Sequence, residues 1–121
     1  MAQRPQWINE FDESYAMPPE IQELITGKLA EDVSWHNDVC PSVGVFQWNG
    51  EDLLRLFFEH PDPARREVPG HGRFGLSWWD GEGRFINSME TDDVHEVVRL
   101  YREKRAALRG PLIEYPDAPA P

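Results

Sequence analysis

The stretch RFGLSWWDGEGRFINSMETDDVHEVVRLYREKRAALRG, Arg73 to Gly110, changes its hydrophobic period once, and that change sets the fold. Over its first half Phe74, Leu76 and Trp78 alternate toward one side, and DGEG turns the chain into a second strand near 84–89. Over its second half Val94, Val97, Val98, Tyr101 and Leu108 recur at helical spacing. Thr91 or Asp92 is placed to cap this helix, Asp93 and Glu96 sit near its positive end, and Arg102 to Arg109 sit toward its negative end. Gly110-Pro111 stops it. A hairpin followed by an amphipathic helix buries its sheet most simply by laying the helix across one face.

Upstream, VGVFQWNGEDLLRLFFEH repeats the hairpin signature: β-type runs near 43–49 and 52–59, separated by Asn49-Gly50, a pair that tolerates the positive φ of a tight turn. PDPARREVPGHG, residues 61–72, breaks the pattern and predicts an exposed loop. Nearer the start, Pro18 and Pro19 suit the first turn of a short helix, Glu20 favours its positive end and Gly27 its exit, with Ile21, Leu24 and Ile25 facing the core. Residues 1–17 place Trp7, Phe11 and Tyr15 four apart, either a narrow helical stripe or an irregular arm. The tail from 111 to 121 is Pro-rich and cannot sustain a helix. The expected architecture is α+β: an antiparallel meander of about four strands, a C-terminal helix on one face and a short N-terminal helix. The expected organisation is an arm over 1–17, a single domain over 18–110 and a tail over 111–121.

At 121 residues and 40 % hydrophobic the chain is long enough for one core. No window approaches the ~20 apolar residues that cross a bilayer, and no basic stretch precedes an apolar run at the start. One Cys cannot close an internal disulfide, so a cytoplasmic protein is expected. Net charge is −10, from 22 acids against 12 bases, which repels phosphates and anionic lipid; neither direct nucleic-acid binding nor membrane binding is expected. The charge is uneven. Residues 1–38 hold eight acids against Arg4 and Lys28, whereas 94–121 hold four acids against five bases.

Chemistry concentrates in SWHNDVCPSVG, Ser34 to Gly44. If extended, Ser34, His36, Asp38 and Cys40 project to one side, and His36, Asp38 and Cys40 with His60 or His71 would present a mixed shell to a metal. The same residues also suggest a Cys40 nucleophile with His36, His60 or His71 as base and Asp38 or Asp62 orienting the ring. Against both, Asn37-Asp38 and Pro41-Ser42 are turn formers, the spacing matches no zinc motif, and an acidic setting raises a thiol's pKa. The stretch therefore reads first as a corner leading into the sheet, pinned by Trp35. The acidic pairs Glu51-Asp52, Asp80/Glu82 and Asp92-Asp93 lie in turns or at a helix start, and GHGRFG lacks the Lys-Ser/Thr end of a phosphate loop.

Phe46, Trp48, Phe57, Phe58, Trp78, Trp79 and Phe85 exceed what one face of four short strands holds, which leaves aromatics for an interface. The expected function is a non-enzymatic acidic binding module, without cofactor, that occludes a basic surface on a protein partner such as a nuclease. Trp79, Trp48 and Trp7 are the expected anchors, and Glu10, Asp12 and Glu13 the steering charges. The uncovered sheet face would equally serve a homodimer. In size, acidity and hairpin content the chain resembles small bacterial or phage proteins that neutralise a larger target, such as toxin-immunity proteins and phage inhibitors of host defence. Arg outnumbers Lys ten to two, as in GC-rich genomes. The resemblance rests on overall character and transfers no residue.

Overall fold

A computed structural model describes residues 5–46, 52–67, 70–80 and 82–108. Five antiparallel strands form one sheet in sequence order: β1 (Glu31–Asp32), β2 (Ser42–Phe46), β3 (Asp52–Phe58), β4 (Phe74–Trp79) and β5 (Phe85–Thr91). Among the described residues three α-helices accompany it, α1 (Gln6–Glu10), α2 (Pro19–Thr26) and α3 (Val94–Ala107). The α+β class, the C-terminal helix and the short N-terminal helix are as the sequence predicts. The strand count is five instead of four, because β1 has two residues and is too short to show any alternation.

The register sorts the side chains. Val45, Leu54, Trp78 and Asn87 stand in one row, Val43, Leu56, Leu76 and Met89 in the next, and Phe58, Phe74 and Thr91 in a third. These rows carry the core, against Val97, Val98 and Tyr101 of α3, Ile21 and Leu24 of α2, and Trp7 of α1. Each such side chain is worth about 1.5–3 kcal/mol when fully buried. The alternate rows, Ser42 with Phe57 and Gly75, and Gly44 with Arg55 and Ser77, face the other way.

One helix start differs from expectation and one helix exit falls where expected. Asp93 caps α3, its carboxylate accepting from His95 N at 2.9 Å and Glu96 N at 3.4 Å. Thr91 and Asp92 are occupied elsewhere, Thr91 Oγ1 accepting from Asp93 N and Asp92 Oδ1 from Arg73 N. At the end of α2, Gly27 is the cap with φ −82°, and the left-handed position falls on Lys28 at φ 61°. The N–H of Lys28 donates to Ile25 O and that of Leu29 to Leu24 O, so this stop is set by hydrogen bonding and not by glycine's freedom. The Asn49-Gly50 turn, Trp48, the Gly110-Pro111 stop and the tail lie outside the described residues. No helix among those described is long and apolar enough to cross a membrane.

Candidate functional site

The corner at Ser34–Gly44 is built by polar contacts that hold its side chains apart. Ser34 Oγ accepts from Ser42 N at 3.1 Å and faces Ser42 O at 3.3 Å, closing the loop onto the start of β2. Arg55, projecting from the middle of β3, reaches Asp38 at 2.8 Å, Ser42 Oγ at 3.1 Å and Val33 O at 3.4 Å, with Asp52 at 3.4 Å and the Phe57 ring at 5.3 Å. Asp38 is thereby spent on Arg55. His36 turns outward to Glu10, Nδ1 to Oε1 2.8 Å, while its backbone N–H donates to the same oxygen at 3.0 Å. These hydrogen bonds hold the Glu10 carboxyl below its ordinary value. Cys40 points inward and is 1 % exposed. His36, Asp38 and Cys40 thus go three ways, and no group of three His, Cys, Asp or Glu among the described residues is arranged to hold a metal ion. Trp35, the expected pin, is 53 % exposed; Arg55 and the Ser34–Ser42 pair do the pinning, since a guanidinium satisfies several loop oxygens at once.

Burial first, then the Glu59 and Asp38 carboxylates, push the Cys40 thiol far above its ordinary 9.0, with Arg55 opposing them weakly. The thiolate is the reactive form, so iodoacetamide should modify the folded protein roughly tenfold or more slowly than the urea-unfolded chain, read by mass spectrometry. The sign for stability follows. Above pH 9.0 the unfolded thiol ionises while the folded one keeps its proton, so stability declines as pH rises from there. Urea midpoints at about pH 8 and about pH 10, with Cys40→Ala as reference, check it.

One serine–imidazole contact escapes sequence reasoning because its partners are 46 residues apart. His60 Nε2 lies 3.1 Å from Ser14 Oγ, and the Asp62 N–H donates to His60 Nδ1 at 3.0 Å. A ring nitrogen that accepts a backbone N–H carries no proton, so the proton is on Nε2 and the ring donates to Ser14. Ser14 in turn donates to Asp12. An imidazole that donates to the serine cannot take its proton, so the trio staples the N-terminal arm to the sheet. Arg73 adds to the staple, donating to Tyr15 O at 2.8 Å and Ala16 O at 2.9 Å. Its pKa is lowered by burial and then by Arg66.

The expected anchors divide between the two sides of the sheet. Trp7 is 8 % exposed, its ring edge-on to Phe58 at 5.7 Å and its backbone N–H donating to Asp32 Oδ2 at 2.9 Å, so it belongs to the core. Trp79 lies on the opposite face, packed edge-on against Phe85 at 5.9 Å. Of the expected steering charges, Glu10 holds the corner, Asp12 caps the 3-10 turn at Glu13–Tyr15 by accepting from Ser14 N, and Glu13 is exposed.

The face turned away from the helices is the candidate site. Among the described residues no helix crosses it. Its floor is Phe57, Gly75 and Ser77, the small residues opening a groove of about 250 Å³ that runs from Val39 and Cys40 to Ser88 and Glu90. Glu59 enters from one side, and His71 pairs with Glu90 at 3.2 Å on the other. Beyond it stand Trp79, Phe85 and Ile86, the last two 58 % and 55 % exposed. Phe57, Ile86 and Val39 have no motif to announce them; the signal was the aromatic count, since the helix-facing rows take Phe58, Phe74 and Trp78 and leave the rest over. No protein-family model, curated protein or solved structure matches the chain.

Proposed function

We propose that this chain is a non-enzymatic protein-binding module that occludes a basic surface of a larger partner. The observation that carries the reading is the helix-free sheet face, where Phe57, Trp79, Phe85 and Ile86 share a surface with Glu59 and Glu90 on a chain of net charge −10. Half-exposed rings on a sheet lose little entropy on docking, and carboxylates beside them favour a cationic partner and speed its approach. Enzymes that grip phosphates present such cationic surfaces, so a nuclease or another nucleic-acid-binding protein fits best, and the role is that of an inhibitor or immunity-type protein of bacterial or phage origin. A cytoplasmic setting accords with a lone cysteine held as a buried thiol.

The test is inhibition of a panel of basic nucleases by the purified module, with complex formation followed by co-elution. Binding should weaken as salt rises. Trp79→Ala should lower affinity by about tenfold or more while far-UV circular dichroism stays unchanged. Neither inhibition nor co-elution across the panel, or affinity indifferent to salt and to Trp79, overturns the reading.

A further inference from the structure

The two edges of the sheet are unlike. At one edge β1 offers two residues, too few for another chain to pair with. At the other β5 runs for seven, and among the described residues nothing lies along its outer side. The backbone there is held only locally: Ser88 N–H donates to the side-chain oxygen of Asn87, its own neighbour, at 2.8 Å, a bond that an added strand would replace. In an antiparallel strand alternate residues turn their N–H and C=O to the same side, so Glu90 faces outward with Ser88. Residues 85–91 contain neither Lys nor Pro, the one irregularity is the register shift where Trp79 pairs with Phe85, and beyond it residues 87–91 pair regularly with β4. The charge around this edge leans acidic. Glu82, Glu90, Asp92 and Asp93 lie in or beside it against two arginines, Arg84, already paired with Asp80 at 2.8 Å and Glu82 at 3.5 Å, and Arg66, 3.5 Å from Asp92.

We propose that β5 takes an extended, lysine- or arginine-bearing segment of the partner as a sixth strand. This rests on the preceding reading that the partner is basic, and adds how it attaches: ladder hydrogen bonds to Ser88 and Glu90 supply affinity, and the carboxylates select cationic side chains. A second copy is the poorer occupant, since pairing β5 with itself brings two chains of charge −10 together.

The probe is a fluorescein-labelled peptide of nine residues, alternating valine and lysine with both ends blocked, followed by anisotropy at low salt. The comparators are the same peptide with glutamate for lysine, and two lysine peptides N-methylated at alternate amides, one for each edge. The lysine peptide should bind and the glutamate peptide should not; N-methylation along the pairing edge should weaken binding about tenfold or more, and amide exchange at Ser88 and Glu90 should slow on binding. Ser88→Pro should also weaken it, because proline removes an outward N–H that β4 does not use. If both N-methylated peptides bind as well as the parent, or the two amides gain no protection, strand addition is overturned while the docking face stands. If the lysine peptide fails to bind but basic nucleases are still inhibited, this inference alone falls; if both fail, both readings fall. A chain that sediments as a dimer with those amides already protected assigns the edge to a second copy and overturns the proposal.

Discussion

Gly44→Ala should destabilise the folded state strongly. Gly44 sits in the middle of β2, opposite Arg55 on β3 and Glu31 on β1. A Cβ built there would lie 2.2 Å from Leu54 O and 3.1 Å from the Arg55 Cα. Both obstacles are backbone of the central strand, which cannot retreat without breaking its pairing to β2 or β4. Overpacking of this kind costs about 3 kcal/mol or more, against a total of roughly 5–15 for a domain. The melting temperature should fall by about 10 °C or more, followed by circular dichroism. Gly75→Ala on the same face is the control. Its Cβ would meet nothing closer than Met89 O at 3.7 Å, an ordinary contact, and stability should change by less than about 1 kcal/mol.

Tyr101→Ala should cost about 4 kcal/mol, since the ring is fully buried where α3 meets the sheet and α2. Tyr101→Phe separates ring from hydroxyl. The hydroxyl donates to Leu29 O at 2.6 Å, just after α2, but Arg105 Nε donates to the same oxygen at 3.2 Å. The carbonyl therefore keeps a partner in the phenylalanine variant, and the loss should be about 1 kcal/mol. Urea titrations of the three proteins check both numbers. A Phe variant as damaged as the Ala variant would mean that the hydrogen bond, and not the ring, holds α3 to the end of α2.

The elements that sequence predicts well are those whose burial is periodic along the chain. Strands β3 and β4 and helix α3 repeat their apolar positions often enough for two or three residues to be redundant. Strand β1 cannot be read that way, because Glu31 and Asp32 form a strand solely through pairing with Gly44 and Val43. The α3 cap shifted to Asp93 for a related reason: several residues there are able to cap, and the backbone N–H of Arg73, 19 positions before Asp92, occupies the Asp92 carboxylate. The candidate site divides likewise. The surplus of aromatics over one sheet face is a count, legible in the sequence, whereas the particular residues on the open face depend on register.

Composition and periodicity by themselves determined an acidic α+β chain, a helix laid over a meander, and more rings than the covered face could take. Tertiary structure alone decided that Trp7 is core while Trp79 lies on the other face of the sheet, that Asp38 belongs to Arg55 and His36 to Glu10, and that β5 stands at the edge of the sheet. The reason is physical: periodicity reports how each residue stands relative to its own strand or helix, but which face is covered, and which charge meets which, depends on contacts between segments far apart along the chain.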